Sequence, residues 1–155
     1  MTDTADVVVI GGGVQGASLA FHLASRGARV AVVERRTIGA GATGRSSGLV
    51  RVYYDLLAEA RIAATAIEWF RDWEARVGGE CGFTRAGFLW IEDGQASERV
   101  RANVASHRAL GVDSHDVDAA AIRELAPGLA VTDDEVAAWE PGSCLLYTSP
   151  SPRDS

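Results

Sequence analysis

The chain has 155 residues and a formal net charge of −6, and 47% of its residues are hydrophobic. This composition is typical of a globular protein with one domain, or with one domain and part of another. The negative charge leaves no basic surface to neutralise phosphates, so nucleic acid is not an expected partner. No stretch approaches the roughly 20 apolar residues that a membrane-spanning helix needs, so no membrane partner is expected.

The first residues and the cysteines favour a cytoplasmic location. Residues 1–7, MTDTADV, are acidic and lack the basic segment of a secretory signal. Cys81 is the single cysteine before residue 144, and one cysteine cannot form an internal disulfide. No metal site is expected, because the histidines share no metal-ligand spacing; they are His22, His107 and His115.

The pattern of residues 7–34 predicts a βαβ unit. Val7–Ile10 is a run of β-branched residues that predicts a buried parallel strand. Val14–Arg26 predicts a helix, and Val30–Val33 predicts a second apolar strand. This order of elements is that of a dinucleotide-binding motif.

The turn after the first strand contains three glycines, Gly11, Gly13 and Gly16, at the G-x-G-x-x-G spacing. Gly11 allows the tight turn, Gly13 lets a pyrophosphate approach the backbone, and Gly16 permits close packing of helix on strand. The helix N-terminus offers unpaired N–H groups and a positive dipole end to the phosphates. Glu34 ends the second strand, where we expect it to accept hydrogen bonds from both hydroxyls of an adenosine ribose.

A glycine-rich stretch, Gly39–Gly48, follows this unit. By itself it is typical of a flexible surface loop. However, it comes directly after a nucleotide-binding pattern and combines backbone N–H groups with hydroxyls and a guanidinium, which together favour an anion. We therefore expect a second cofactor contact here, made by Thr43, Arg45, Ser46 and Ser47.

The chain changes character near Gly48, where material typical of a second domain begins. Ala58–Val77 predicts a long helix whose apolar stripe consists of Ile62, Ala66, Trp69, Trp73 and Val77. Phe83–Glu92 predicts one strand. Four further elements are expected: a helix over Ala96–Leu110, a strand near Val112–Ser114, a helix over Asp118–Leu125 capped by Asp118, and a strand over Glu135–Trp139.

The C-terminal segment has a different origin in our interpretation. Cys144–Asp154, CLLYTSPSPRD, looks like the translation of a transposase adapter used to prepare sequencing libraries. The alternative is a disordered Ser/Pro-rich tail. We expect residues 144–155 to be an artefact, residues 1–50 to be part of a cofactor domain, and residues 51–143 to be a helical linker and the start of a substrate domain. The chain is then a fragment.

Four segments together resemble the flavin-dependent amine and amino-acid oxidases: VVVIGGGVQGASLAFHLASRGARVAVVER, GATGRSSGLVR, TRAGFLWI and LAPGL. That family includes D-amino-acid oxidase, glycine oxidase and sarcosine oxidase. The chain looks most like the beta-subunit type of sarcosine oxidase and the dimethylglycine-type enzymes. The first fifty or so residues carry the specific motifs.

The resemblance implies an α/β fold, with a Rossmann-like FAD-binding βαβ unit followed by the start of an incomplete α+β substrate domain. It implies that the glycines, Val14 and Gln15 meet the FAD pyrophosphate, and that Glu34 and Arg35 meet the AMP ribose. The pyrophosphate and the ribityl–flavin side would meet a second group of residues, Ala42, Thr43, Ser47, Gly48 and Leu49.

The resemblance also implies a reaction, in which a small amine or N-methyl amino acid gives up hydride from the carbon bearing nitrogen to the flavin. Arg51 matches the place of an arginine that holds the substrate carboxylate, a task that suits a bidentate guanidinium. A solvated surface arginine is the alternative. Tyr53 and Tyr54 would line the same pocket or only pack. No catalytic residue is assigned, and further subunits are implied as partners.

Two other functions remain open from the residues alone. An NAD-dependent dehydrogenase also carries an acid at the end of this second strand, although the GATGRSSG segment favours FAD. The third alternative is a nucleotide-binding or inert fragment. Strands missing from the sheet would leave an unpaired edge and uncovered apolar faces, so we expect the isolated polypeptide to be marginally stable and to turn over no substrate.

Overall fold

The computed structural model describes residues 4–146, which separate into two compact units between Ser47 and Gly48. The N-terminal unit contains strand β1 (Val7–Ile10), helix α1 (Val14–Ala24) and strand β2 (Val30–Val33). The two strands pair in parallel from Val7↔Val30 to Ile10↔Val33. The predicted βαβ unit is thus confirmed.

Helix α1 ends two residues earlier than predicted. Its last turn passes into Ser25–Gly27, where the Gly27 N–H donates to the Ala24 carbonyl at 2.9 Å. Gly27 has φ +89°, a left-handed conformation that ends a helix and suits glycine. The glycine, not the apolar pattern, sets this boundary.

The apolar residues of the N-terminal unit are much less buried than the prediction of a buried strand requires. Val9 is 6% exposed, but Val8 is 58% and Ile10 is 88% exposed. Successive side chains of a strand point to opposite faces of the sheet. Helix α1 packs against this two-stranded sheet, and one helix covers one face. A parallel sheet buries both faces only when helices cover both.

The C-terminal unit is α+β, as predicted. Its helices are α2 (Leu57–Arg71), α3 (Trp73–Arg76), α4 (Ser97–Ala109) and α5 (Ala119–Leu125). Its strands are β3 (Leu49–Val50), β4 (Phe83–Arg85), β5 (Phe88–Glu92), β6 (His115–Asp118), β7 (Val136–Glu140) and β8 (Cys144–Leu146). They form two antiparallel sheets, with strand orders β3-β8-β4 and β5-β7-β6.

The long helix predicted over Ala58–Val77 is wrong in two respects. It breaks at Asp72, which separates α2 from α3. Its predicted stripe also lies on a different face, because Ile62 is 71% exposed whereas Ala60 and Ile67 are buried. One of the two buried clusters of the C-terminal unit contains Val52, Ala60 and Ile67, and small alanines allow α2 to pack closely there.

The single strand predicted over Phe83–Glu92 is two strands that belong to different sheets. The chain breaks at Ala86 and Gly87, and Gly87 has φ +72°. A Cβ on Gly87 would collide with the Trp139 ring, so this position needs glycine for both conformation and space. The aromatic and apolar run gave no signal of this change of sheet.

The remaining predictions differ mainly at their boundaries. The helix expected over Ala96–Leu110 is α4, in which Val100 and Val104 are buried. The strand expected near Val112–Ser114 is wrong by three residues, because β6 begins at His115. The cap of α5 is confirmed, since an Asp118 side-chain oxygen accepts from the Ala121 N–H at 3.0 Å.

Residues 144–146, expected to begin an artefactual tail, form the middle strand of a sheet. In β8, Cys144 pairs with Val50 on one side and with Arg85 on the other. Burial raises the pKa of the Cys144 thiol to about 11, so it stays protonated at neutral pH. Residues 147–155 lie outside the described residues, and the adapter interpretation stays a prediction.

Candidate functional site

The turn between β1 and α1 has the geometry that the glycine spacing predicts. Gly11 has φ +105° and donates its N–H to the Val33 carbonyl at 2.8 Å, which closes the turn. A Cβ on Gly16 would collide with the Gly11 carbonyl oxygen. Gly11 therefore supplies a conformation and Gly16 supplies space for close packing.

The N-terminus of α1 is open to an anion. Gly13 is the N-cap and has no side chain with which to cap the helix, and the first turn of α1 contains no acidic residue. Among the described residues, the one atom within 4 Å of a Cβ built on Gly13 is Thr43 Oγ1, at 3.1 Å. The neighbouring Val14 and Gln15 are exposed. The first N–H groups of a helix lack partners within the helix, and they form a positive end that favours phosphate.

Thr43 links the glycine-rich segment to this helix terminus. Its hydroxyl oxygen accepts a hydrogen bond from the Val14 N–H at 2.9 Å. The segment is further tied to the turn by the Gly39 N–H, which donates to the Gly12 carbonyl at 2.9 Å. The structure thus brings together two stretches that the sequence separates by about 30 residues.

Within this segment, much of the backbone is already hydrogen bonded. A 3-10 turn over Thr43–Arg45 follows Ala42, and the Arg45 N–H donates to the Ala42 carbonyl at 3.1 Å. The Ser46 N–H donates to the Thr43 carbonyl at 3.2 Å. The surface expected to bind an anion therefore has fewer available N–H groups than the sequence suggested. The side chains of Arg45, Ser46 and Ser47 are exposed.

Glu34 lies beside the glycine turn and is held by two backbone donors. Its Oε2 accepts from the Gly12 N–H and its Oε1 from the Arg36 N–H, both at 2.8 Å. These hydrogen bonds lower the pKa of the Glu34 carboxyl, and the bond from the Gly12 N–H has the larger effect. Glu34 is thus ionised at neutral pH, and each oxygen keeps a lone pair for a hydroxyl donor. Arg35 is exposed beside it.

Gly12 was not singled out from the sequence, although it anchors this arrangement. It is buried, and its N–H and carbonyl contact Glu34 and Gly39 respectively. A Cβ on Gly12 would lie 2.5 Å from Ile38 Cδ1. The run of three consecutive glycines is the sequence signal that would have identified it.

The C-terminal unit contains the other predicted residues. Gly48 has φ +68° and accepts from the Leu146 N–H at 2.9 Å, and Leu49 begins β3. Arg51 follows this strand and is half-buried. Its guanidinium carbon lies 4.6 Å, 5.1 Å and 4.9 Å from the ring centroids of Tyr54, Phe88 and Trp90. We call these three residues the aromatic cage.

A cavity of about 240 Å³ opens beside the aromatic cage. Tyr53, also predicted here, is 1% exposed and packs in the core with Val100 and Val104. Arg51 makes no ion pair among residues 4–146. The cavity is lined by Arg51, Tyr53, Tyr54, Asp55, Leu56, Glu59 and Trp90.

A second cavity, of about 320 Å³, contains none of the predicted site residues. Glu140 lies at its wall and is 1% exposed. Its Oε2 accepts from the Val52 N–H at 2.9 Å and from the Ser143 hydroxyl at 2.8 Å. Through Oε2, Glu140 therefore ties the segment after β3 to the β7–β8 turn, while its buried Oε1 has no hydrogen-bond partner among residues 4–146.

Neither a metal cluster nor a membrane-crossing helix occurs in the part of the chain that the structure describes. Residues 4–146 contain no group of three or more His, Cys, Asp or Glu side chains placed to hold a metal ion. Over the same residues, every helix is too short or too polar to cross a membrane.

The fold and the glycine turn define a class of nucleotide-binding oxidoreductase, and comparison with known proteins gives the family. A profile of the family described as "FAD dependent oxidoreductase" (DAO) matches residues 6–148. The chain belongs to this family, so the resemblance expected from the sequence is confirmed. The family match favours flavin over the nicotinamide alternative.

Three relatives illustrate the range of the family. Mouse mitochondrial sarcosine dehydrogenase is 33% identical over 145 residues, which cover 86% of this chain and 15% of that protein. One polypeptide of the anaerobic glycerol-3-phosphate dehydrogenase from Escherichia coli K12 is 44% identical over 71 residues, or 46% of this chain and 12% of that protein. The crystal structure of L-proline dehydrogenase from P. horikoshii superposes with a TM-score of 0.84 at 26% identity, covering 94% of this chain and 39% of that one.

The chain thus spans less than half the length of each of these relatives. Two of their names specify an amino acid as the substrate, and one specifies an alcohol phosphate. The fold and the relation to enzymes that act on C–N bonds are therefore established, whereas the activity of the whole protein is inferred below.

Proposed function

We propose that the protein to which this chain belongs oxidises the C–N bond of a small amine or N-methyl amino acid. The observation that carries the proposal is the half-buried Arg51, in a chain of an FAD-dependent family. It lines a cavity that Asp55 and Glu59 also line, and it forms no ion pair with any carboxylate of residues 4–146. Amino acids and their N-methyl derivatives present a carboxylate that such a guanidinium binds in two places.

The N-terminal unit is proposed to hold the ADP part of FAD. The absence of a side chain at Gly13, the N–H groups of the first turn of α1 beyond Val14, and the Thr43 hydroxyl fit a pyrophosphate. The ionised Glu34 fits two ribose hydroxyls, because an ionised carboxylate only accepts hydrogen bonds. Further contacts are proposed for Gly11, Val14, Gln15, Gly16, Arg35, Ala42, Arg45, Ser46, Ser47, Gly48 and Leu49.

Bound FAD would supply the hydride acceptor, and the residues of this chain would bind and orient the two reactants. Arg51 would fix the carboxylate end of the substrate, which places the neighbouring carbon at a constant distance from that contact. Such positioning converts binding energy into a favourable geometry for transfer. No residue among 4–146 is proposed to move a proton.

The test uses the full-length protein, purified and examined for flavin absorbance. We then mix it without oxygen with sarcosine, dimethylglycine, glycine, L-proline or glycerol 3-phosphate and follow bleaching of the flavin. The proposal expects bleaching by at least one amine. Bleaching by glycerol 3-phosphate alone would overturn amine oxidation, and a protein that holds no flavin would overturn the cofactor assignment.

Arg51 is tested separately from the cofactor. Arg51→Ala is expected to raise KM for an amino-acid substrate by about 100-fold, the result of losing charge-assisted hydrogen bonds. A simple amine without a carboxylate should keep its KM, and flavin content should be unchanged. An equal rise in KM for both substrates would show that Arg51 does not contact the carboxylate.

The proposal also covers the location of the protein and its association with other subunits. Both cysteines among residues 4–146 are free thiols, which fits a reducing compartment such as the cytoplasm. Association with further subunits follows only from the similarity to the beta-subunit type of sarcosine oxidase. Size-exclusion chromatography of the full-length protein, alone and co-expressed with neighbouring genes, would test that association.

A further inference from the structure

We propose that Trp90 is a positioning residue that fixes Arg51 for carboxylate binding and so determines how strongly the site selects acids over simple amines. This inference rests on the proposed function, because it assumes that Arg51 binds the substrate carboxylate. It is carried by the aromatic cage and by the contacts that hold Trp90 itself.

The aromatic cage restrains the guanidinium without using its hydrogen-bond donors. Tyr54, Phe88 and Trp90 surround it at centroid distances between 4.6 Å and 5.1 Å. A cation over ring faces is attracted by the negative faces of the rings. An arginine has five N–H donors at the edge of its plane, and these remain available to an anion. The cage therefore holds a charged group in place and leaves its binding edge for a carboxylate.

Trp90 differs from the other cage residues because it is fixed on two further sides. Its Nε1–H donates to Glu92 Oε1 at 2.7 Å. Its ring also stacks on Tyr53, with centroids 5.9 Å apart and an interplanar angle of 27°. Phe88 has no polar group with which to make such a bond. Trp90 therefore has a defined ring plane, which a purely apolar contact would not impose.

The group that holds Trp90 is itself part of a ring of contacts. Glu92 Oε1 also accepts from Arg99 Nη2 at 2.7 Å, and Arg99 Nη1 contacts Asp55 Oδ1 at 3.1 Å. Asn103 Nδ2 donates to Asp55 Oδ1 at 2.6 Å and to the Tyr53 hydroxyl at 3.3 Å. The Arg99 bond, followed by the Trp90 bond, lowers the pKa of the Glu92 carboxyl, so Glu92 is ionised at neutral pH.

Two members of this network also line the cavity beside Arg51. Asp55 and Tyr53 line the space beside Arg51, and Tyr53 stacks on Trp90. The Arg99 and Asp55 side chains are 45% and 60% exposed, so water competes for these contacts and they restrain Trp90 only in part. Trp90 is the member of the network that contacts Arg51, since its ring centroid is 4.9 Å from the guanidinium carbon.

Strand β7 offers a matched control for the loss of a tryptophan. Residues directly opposite each other in neighbouring strands share a face, and Trp139 is opposite Leu89. Trp90 points to the other face of β5, because side chains alternate along a strand. Trp139→Leu thus removes an indole from the same pair of strands without touching the aromatic cage.

The experiment measures acetate binding by calorimetry in full-length, FAD-loaded protein. Acetate carries a carboxylate but no C–N bond, so its Kd reports the anion contact without turnover. The variants are Trp90→Leu, Trp90→Phe, Trp139→Leu and Arg51→Ala. For each variant we also measure melting temperature, flavin content, and kcat and KM for an amino acid and for a simple amine.

Trp90→Leu is expected to raise the Kd of acetate and the KM of the amino acid by about tenfold, the scale of a lost cation–π contact. The kcat at saturation and the KM of the amine should stay within about twofold. Trp90→Phe keeps the ring but loses the Glu92 bond, so it should give about a threefold rise. Trp139→Leu should lower the melting temperature and leave the acetate Kd unchanged.

Two results would overturn the inference and leave the proposed function intact. One is weak acetate binding in Arg51→Ala together with normal binding in Trp90→Leu. The other is an equal loss in Trp139→Leu and Trp90→Leu, which would indicate general destabilisation. If Trp90→Leu does not fold, a wild-type Kd in Trp90→Phe would overturn it. Normal acetate binding in Arg51→Ala would instead refute the carboxylate contact in the proposed function.

Discussion

The two units of the chain build their candidate sites by different means. In the N-terminal unit the site is made largely of backbone: the space at Gly13, the N–H groups at the start of α1, and the Gly12 bond to Glu34. In the C-terminal unit it is made of side chains, with Arg51 held by rings from another part of the sequence. A backbone site tolerates changes that keep the glycines, whereas a side-chain site depends on the packing of the whole unit.

The units also differ in how they are stabilised. Among the described residues the C-terminal unit contains two buried clusters, one around Tyr53 and one around Val52. In the N-terminal unit Val9 is the buried apolar side chain, and α1 has no buried residue. Local opening is easiest where few apolar contacts are buried. The unit with the clearer sequence motif is thus the one with the smaller core.

The largest expected effect comes from Gly16→Ala. The added Cβ would collide with the Gly11 carbonyl oxygen, so helix and strand must separate. We expect the free energy of unfolding to fall by about 3 kcal/mol and FAD to be lost with it. Chemical denaturation of the full-length protein measures this loss.

The control for that variant is Gly41→Ala, since a Cβ on Gly41 would meet no atom of the described residues within 4 Å. If both variants unfold at the same denaturant concentration, close packing of α1 at Gly16 does not contribute to the stability of the N-terminal unit.

Gly13→Val should destabilise the fold less than Gly16→Ala does, but it should weaken FAD binding nearly as much. The side chain would fill the space at the start of α1, where its Cβ would meet the Thr43 hydroxyl. We expect the Kd of FAD to rise by about 100-fold or more, and the melting temperature of the FAD-free protein to fall less than in Gly16→Ala. Fluorescence titration with FAD gives the Kd.

Gly128→Val is the control, because a Cβ on Gly128 would meet no atom of residues 4–146 within 4 Å. Normal FAD binding in Gly13→Val would place the pyrophosphate elsewhere and remove the basis for a backbone-built site in the N-terminal unit.

Asp118→Ala tests the reverse case, a change in stability without a change in cofactor binding. It removes the side-chain acceptor for the Ala121 N–H at the start of α5. The free energy of unfolding should fall by about 1 kcal/mol, with the Kd of FAD unchanged. Asp118→Asn keeps an acceptor and should restore most of the stability. A loss of FAD binding in Asp118→Ala would show that the two units are energetically coupled.

The smallest expected effect concerns pH and Glu34. The Gly12 and Arg36 N–H bonds lower the pKa of this carboxyl from its ordinary value of 4.5. The stability they contribute is therefore present above pH 4.5 and is lost as the pH falls through the lowered value. Wild type should be more stable than Glu34→Gln by a constant amount between about pH 5 and pH 8, and the difference should shrink in acid.

Urea denaturation across that pH range provides the measurement. Glu74→Gln, which changes an exposed residue, is the control. A difference that grows in acid would mean that the carboxyl is bound in its protonated form.

The sequence predicted the geometry of the N-terminal glycine turn well because the information for it is local. Glycine spacing, a following helix and a terminal acid lie within about 30 residues, and their combination is specific to one local motif. Even there Gly12 was missed, since its contacts to Glu34 and Gly39 join segments that no spacing rule relates. In the C-terminal unit Arg51 was found only through family resemblance, and Phe88 and Trp90 gave no signal beyond that of an apolar strand.

The sequence by itself determined the family, the βαβ unit and the position of the cap at Asp118, because these depend on residue types a few positions apart. Only the tertiary structure decided which face of α2 is buried, where Phe83–Glu92 divides between two sheets, and which rings surround Arg51. Those outcomes depend on contacts between residues far apart in the chain. Such contacts form only after the loops between them close, and the pattern of one segment carries no record of its eventual neighbour.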